Sequence, residues 1–263
     1  MGDSETGQIS ADAAKIYDEL YLPALFEEWC PMVVEAAQIK EGHRVIDIAC
    51  GTGALAIAIL DRIGAQGSIV GIDINEGMLD VAKLKSSRVE WLNAPAEALP
   101  FGDDNFDCAV SQFGLMYFED RESALREMIR VVQPGGSLAI VVWDKLENNP
   151  GFAAEERLWQ HVFGLEAADE SPNNLGDKKT LRSLFSNSGM PKAEITTRGA
   201  TARYSSIESW ILAGARGWTE DDAISDEQLD LLLKAARKEL ADFRTADGTV
   251  AFPTSAHIIT ARK

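Results

Sequence analysis

Between residues 44 and 142, short apolar runs alternate with segments of helical periodicity, and this alternation constrains the chain more than any other feature. The runs are Arg44–Ala49, Ser68–Asp73, Val89–Asn93, Phe106–Ser111 and Gly136–Val142. Between them, Ala54–Ile63, Glu76–Lys85 and Arg121–Val132 read as helices, the last with Leu125, Met128, Ile129 and Val132 on one face. Runs that are apolar throughout, rather than alternating, suit strands covered on both faces, so the pattern predicts a parallel sheet between two helical layers. Upstream, residues 11–38 carry apolar side chains at helical spacing, with breaks expected at Pro23 and Pro31. After Trp143 the rhythm loosens. A helix is expected over 151–164, a loop at Asn173–Gly176, and a helix over Lys179–Ser188 ended by Gly189. A strand at Ala193–Arg198, helices within 206–244 (the clearest Asp226–Phe243) and a last strand at Thr249–Arg262 complete the reading.

Composition narrows the function classes. The chain has 263 residues, 46% of them hydrophobic and 25% charged, enough to bury a core. A net charge of −17 repels phosphate backbones and anionic headgroups, so neither nucleic acid nor a membrane is an expected partner. Cys30, Cys50 and Cys108 are odd in number and fit no zinc spacing. Three scattered histidines make no metal cluster, and no metal site is expected. No apolar run is long enough to span a bilayer, and Met1–Ser10 lacks a signal-peptide core, so the cytoplasm is the expected compartment.

The strongest local signal is Asp47-Ile-Ala-Cys-Gly51-Thr-Gly53-Ala, placed where a strand ends and a helix begins. Glycines there allow a tight turn and a close ligand approach. Gly51-x-Gly53-x-x-Ala56 also fits a dinucleotide fingerprint, which alone is a weak signal. Asp47 argues the other way: a carboxylate beside a pyrophosphate is repulsive, whereas a ligand carrying a sulfonium and an ammonium is drawn to it. Asp73, closing the second strand, lies at the distance where an acid meets ribose hydroxyls in Rossmann-type sites.

Taken together, Val45–Gly53, Val70–Met78, Ala96–Phe101, Phe106–Phe118 and Leu125–Gly136 resemble the class I S-adenosylmethionine-dependent methyltransferases, in the branch that includes the ubiquinone/menaquinone-biosynthesis enzymes. The resemblance implies a Rossmann-like, doubly wound, mostly parallel seven-stranded α/β sheet with helical lid insertions. It divides the chain into an N-terminal helical lid (1–40), a cofactor-binding core (41–145) and a segment (146–263) that inserts a substrate pocket and completes the sheet. By the same resemblance Asp47, Ala49, Gly51 and Gly53 line the methionine end of S-adenosylmethionine, and Asp73 holds the ribose. Ile74 and Met78 lie against the adenosine, Ala96 and Glu97 beside the adenine. Ser111 offers its carbonyl to the cofactor ammonium, with Gln112 and Phe113 on the rim. Relatives often carry an Asp before the Ala-Glu pair; here it is Pro95, so adenine recognition falls to backbone and packing, or to Asn93.

Methyl transfer needs alignment and exclusion of water, and a general base only when the acceptor arrives protonated. Catalytic candidates are His257 on the last strand and Tyr17 and Tyr21 in the lid, with His161 ranked lower; packing roles compete for each. Aromatic residues in the lid and insertion, among them Phe26, Trp29, Phe152, Trp159, Phe163, Tyr204, Trp210 and Trp218, suggest a small hydrophobic or aromatic acceptor. The expected activity is therefore methylation of a small molecule at oxygen, nitrogen or carbon, leaving S-adenosylhomocysteine. An NAD(P)-dependent oxidoreductase and a non-catalytic cofactor-binding protein are the alternatives. An apolar face on the N-terminal helix leaves a homodimer open.

Overall fold

The computed structural model describes residues 10–164, 172–217 and 224–263. One seven-stranded sheet organises them: β1 (Arg44–Ile48), β2 (Ser68–Asp73), β3 (Val89–Asn93), β4 (Phe106–Gln112), β5 (Val132–Trp143), β6 (Glu194–Tyr204) and β7 (Val250–Arg262), in the order β3-β2-β1-β4-β5-β7-β6. The first five strands are parallel, and β7 runs antiparallel to β5 and β6. The helices are α1 (Ala11–Ile16), α2 (Cys30–Ala36), α3 (Ala54–Ile63), α4 (Glu76–Lys85), α5 (Arg121–Val131), α6 (Pro150–Phe163), α7 (Lys178–Asn187), α8 (Ile207–Gly217) and α9 (Asp226–Glu239).

Burial explains the strand sequences. The last four residues of β1 and all of β5 from Gly136 onward are buried, as their unbroken apolar runs require. At the sheet edge β6 reads polar and half-exposed along most of its length, which suits a strand covered on one side only. From β1 the chain winds outward through β2 and β3, then returns to lay β4 and β5 on the other side. A crevice opens at this reversal above the carboxyl ends of β1 and β4, the place where open α/β sheets bind ligands.

The structure departs from the sequence reading at several boundaries. Ala49 leaves the first strand with a left-handed φ of 57°. Beyond Arg198, β6 continues to Tyr204, because its whole length pairs with β7 from Glu194↔Thr260 to Tyr204↔Val250. Pro23 does not break the lid. It sits inside a π-helical run, Tyr17–Phe26, whose wider turn accommodates the ring. Pro31 lies in the first turn of α2, where no backbone donor is needed. The expected loop at 173–176 is mostly a 3-10 turn, Pro172–Leu175. Leu22, Leu25, Phe26 and Trp29 are buried within the chain, so the apolar face of the N-terminal segment is used internally.

A buried polar network fastens β7 into the sheet. The Asn149 side-chain amide donates to the carbonyls of Asp144, Lys145 and Ser255 (3.1, 3.2 and 3.2 Å) and accepts from the Ser255 N–H at 2.8 Å. Asp144 accepts from the Ser255 hydroxyl at 2.8 Å and the Lys145 N–H at 2.7 Å, and lies 3.1 Å from His257 Nε2. Burial opposes ionisation of Asp144, but these partners outweigh it and hold its carboxyl below the ordinary range. Replacing Asn149 by Ala strips partners from several buried groups at once. Denaturant unfolding should show a loss of about 2–4 kcal/mol, where an exposed Asn→Ala change loses well under 1.

Candidate active site

Asp47 pairs in register with Gly71 of β2 and Val110 of β4, at the centre of the crevice. It is 1% exposed, and neither carboxylate oxygen makes a close hydrogen bond; the Ala56 N–H in the first turn of α3 stabilises it less than burial opposes it. Burial first, and the charge of Asp73 second, push its carboxyl well above the ordinary carboxylate range. An unpaired buried carboxylate costs several kcal/mol, so its presence here calls for a compensating function.

The chain beyond Asp47 is shaped around open space. Ala49 is in the left-handed region, Gly51 has a φ of 53°, and nothing would meet a side chain built on Gly51. The Cys50 N–H donates to the Ile72 carbonyl at 2.9 Å and tucks the loop onto β2. Gly53, with a φ of 86°, starts α3 and lies against the Trp91 ring, where an added Cβ would come within 2.4 Å. The two glycines therefore differ in role: Gly51 faces the crevice, whereas Gly53 makes room for Trp91.

Asp73 accepts from the Gly51 N–H and the Asn75 N–H, both at 2.8 Å, and so ties the glycine loop to the end of β2. Burial raises its carboxyl, and those backbone donors offset part of the rise. The Asn93 amide donates to the carbonyls of Asp73 and Ile74 at 3.1 and 2.8 Å; its N–H group clamps the acidic loop instead of facing a ligand. Ile74 is 47% exposed, whereas Met78 and Ala96 are buried. The Glu97 carboxylate accepts from the Asp120 N–H at 3.4 Å, at the start of α5.

Across the crevice, Ser111 is fully buried with an unpartnered hydroxyl, and Gln112 Oε1 also lacks a partner. Gln112 Nε2 donates to the Phe26 carbonyl at 3.1 Å and thereby holds the lid over the site. Phe113 leaves β4 with a φ of 58°, and its ring stacks on Trp143 at 3.9 Å. Two non-glycine residues, Ala49 and Phe113, thus hold left-handed backbone at the ends of adjacent strands, a concentration of strain typical of ligand sites.

The lid supplies the apolar wall. Tyr17, Leu22 and Phe26 join Asp47, Ala49, Gly51 and Gln112 around a cavity with about 350 Å³ of empty space, open mouth included. Tyr17 stacks on Tyr21 (5.8 Å) and Phe26 (5.5 Å), and Phe26 packs on Phe113 (5.4 Å). Lys85 ties the lid down, pairing with Asp18 and lying 3.4 Å from the Thr52 hydroxyl. That latch escaped sequence reasoning: a lysine in the last turn of a helix is commonplace, and its partner lies 67 residues away. The fit to S-adenosylmethionine rests on the donor set. Acceptors without partners at Asp47, Ser111 and Gln112 suit a cationic, donor-rich amino-acid end, and the same carboxylate repels a dinucleotide's pyrophosphate.

The catalytic candidates separate. Tyr17 lines the cavity and Tyr21 stacks beside it, but burial raises both phenols well above their ordinary value. His257 is 1% exposed and does not line the cavity. Its Nδ1 lies 3.0 Å from the Thr197 hydroxyl and its Nε2 3.0 Å from the Gly176 carbonyl. Its position binds β7 to β6 and to the 172–176 turn. His161 is exposed and paired with Glu239. Trp29 is fully buried, edge-on to Phe113 and Trp143, and is a packing residue; Trp218 lies outside the described residues.

The raised carboxyl of Asp47 makes stability pH-dependent. The folded state holds the proton more tightly than the unfolded chain, so stability falls as pH rises from the ordinary carboxylate pKa through the raised value. Asp47→Asn should flatten part of that fall and leave the ligand-free protein at least as stable as wild type at pH 8, as measured by thermal unfolding from pH 4 to 8. Wild-type stability that rises across this window, unchanged in the variant, contradicts the assignment.

Comparison with known proteins agrees with this geometry. Residues 11–207 match the model of the ubiE/COQ5 methyltransferase family. The ubiquinone/menaquinone biosynthesis C-methyltransferase UbiE of Yersinia enterocolitica is 32% identical over 208 residues, covering 72% of this chain and 79% of that protein. The enzyme of the same name from Stenotrophomonas maltophilia is 36% identical over 149 residues, 53% of this chain, and the match spans only 59% of that relative's length. Among solved structures, the YcgJ protein of Bacillus subtilis shares the fold with a TM-score of 0.60 at 20% identity, over 90% of this chain and 98% of that one. The family match, covering residues 11–207 and with them every residue around the cavity, shows that this chain belongs to the ubiE/COQ5 methyltransferase family.

Proposed function

We propose that this protein transfers a methyl group from S-adenosylmethionine to a small, mainly apolar or aromatic acceptor. The observation that carries the reading is the Asp47 carboxylate, buried and without a partner beneath the open face of Gly51. S-adenosylmethionine supplies an electrophilic methyl on a sulfonium, whose carbon–sulfur bond breaks with both electrons left on sulfur. The chain's residues bind and exclude water: Asp47, Ser111 and Gln112 would meet the amino-acid end, and Asp73 the ribose hydroxyls. Ile74, Met78 and Ala96 would flank the adenosine. The acceptor would lie beneath Tyr17, Tyr21 and Phe26, against Phe113 and Trp143, whose rings form one packed layer over the crevice. Cys30, Cys50 and Cys108 are unpaired thiols, which favours a reducing compartment such as the cytoplasm.

Thermal unfolding in the presence of S-adenosylhomocysteine tests the reading. A hundredfold excess over Kd stabilises a folded protein by about 2.7 kcal/mol, so a clear upward shift is expected with S-adenosylhomocysteine and none with NAD or NADP. Asp73→Ala should weaken S-adenosylhomocysteine about tenfold or more, since it removes the acceptor for two ribose hydroxyls and frees the Gly51 loop. A shift with NAD and none with S-adenosylhomocysteine contradicts the reading.

A further inference from the structure

One side chain of the cavity wall also holds the lid. Val110 pairs in register with Asp47, and Gln112, further along β4 by one full alternation, lies on the same face of the sheet; Asp47 and Gln112 both line the cavity. A primary amide is asymmetric, a donor at its nitrogen and an acceptor at its oxygen. The nitrogen of Gln112 is committed to the lid: Nε2 donates to the Phe26 carbonyl at 3.1 Å. The Cys30 thiol lies on the same side, 3.8 Å from that carbonyl, and senses the amide as a donor. The oxygen, Oε1, is shut off from water and has no partner.

The two ends of this amide cannot be exchanged. Turned over, it would set Oε1 against the Phe26 carbonyl, acceptor against acceptor. Phe26 closes the π-helical run Tyr17–Phe26, and its ring packs on Phe113 and Trp143 at 5.4 and 6.1 Å, so the lid as a whole places that carbonyl. The other ties of the lid are built differently. Glu28 accepts from the Thr201 N–H and the Arg203 guanidinium, and no residue of that tie lines the cavity. Lys85 pairs with Asp18 and meets the cavity wall through the Thr52 hydroxyl at 3.4 Å. Gln112 alone of these anchors lines the cavity itself while bonding to the lid backbone.

We propose that Gln112 couples closure of the lid to an amino group bound in the cavity, so that the lid seals over the intact cofactor and stays loose over a nucleoside lacking that group. This inference rests on the methyltransferase reading above. With the lid down, Oε1 is a buried acceptor whose bond is unmade, and opening the lid relieves that cost by admitting water. An ammonium in the cavity donates to Oε1, removes the cost and holds the amide with its nitrogen turned to Phe26. The ligand amino group and the lid carbonyl thus demand the same amide orientation, and by linkage each favours the other. Methyl donor and product both carry the amino group, so the lid has to open again before one exchanges for the other.

Hydrogen–deuterium exchange over residues 11–29, read by mass spectrometry with each ligand at saturation, tests this. The probes are S-adenosylhomocysteine and its deaminated analogue, which keeps the nucleoside, the sulfur and the carboxylate and lacks only the amino group. In wild type, S-adenosylhomocysteine should slow lid exchange at least about tenfold more than the analogue does. In Gln112→Met, similar in size but without the amide, the two ligands should protect the lid equally. Glu28→Ala severs a tie outside the cavity; it should speed lid exchange in every state yet keep the difference between the ligands. Equal protection by the two ligands in wild type, or a difference that persists in Gln112→Met, overturns the inference. A difference kept in Gln112→Met but lost in Lys85→Met overturns it in favour of coupling through Thr52. Calorimetry separates the two levels: if S-adenosylhomocysteine does not bind wild type, the methyltransferase reading falls and this inference with it, whereas binding that leaves the lid unprotected brings down this inference alone.

Discussion

A carboxyl group with no counter-charge, buried at the centre of a parallel sheet, is the constraint around which the rest of this structure is arranged. Asp47 could be relieved by a neutral residue of the same size, and a hydrophobic sheet would gain from the change. The surrounding chain does the opposite. It adds a second carboxylate, Asp73, close enough to raise the first, then fixes that one with the backbone donors of Gly51 and Asn75. On the reading proposed above, a cationic ligand group beside Gly51 and Ser111 would offset that cost, so binding and the burial of Asp47 would be two sides of one electrostatic term.

The second half of the chain makes that site enclosed. The antiparallel β7 lies between β5 and β6, fastened by Asn149, Asp144 and His257, and brings α6 and α8 beside the lid. Among the described residues the lid is tied down by Gln112 to the Phe26 carbonyl, by Lys85 to Asp18, and by Glu28 to the Thr201 N–H and the Arg203 guanidinium. The last two contacts lie on the surface and contribute little singly, which suits a segment that must admit ligand. Between lid and sheet, Phe26, Phe113, Trp143 and Phe152 form a packed aromatic layer beside the crevice.

The core was legible in the sequence because local rules act there without interference. Doubly buried strands must be apolar, and the Asp47–Gly53 turn carries its glycines where the backbone is left-handed. Lid and insertion were legible only as helical material. Pro23 misled because a π-helical turn absorbs it, a choice made by packing against the sheet and α8, not by propensity. His257 attracted attention as a histidine on a strand, but its hydrogen bonds to residues 60 and 81 positions away leave no trace in local sequence. Gly53 was read as making room for a ligand, yet its neighbour is Trp91, two strands away across the sheet.

The central claim is that Asp47 recognises the charged amino-acid end of the cofactor. Calorimetric titration with S-adenosylhomocysteine and with 5′-methylthioadenosine, which keeps the nucleoside and sulfur but lacks the amino-acid group, isolates that term. The account predicts that wild type binds S-adenosylhomocysteine at least about tenfold more tightly, and that Asp47→Asn removes most of the difference while leaving 5′-methylthioadenosine affinity unchanged. Equal affinities in wild type, or a preference that persists undiminished in Asp47→Asn, would show that the buried carboxylate serves some other end.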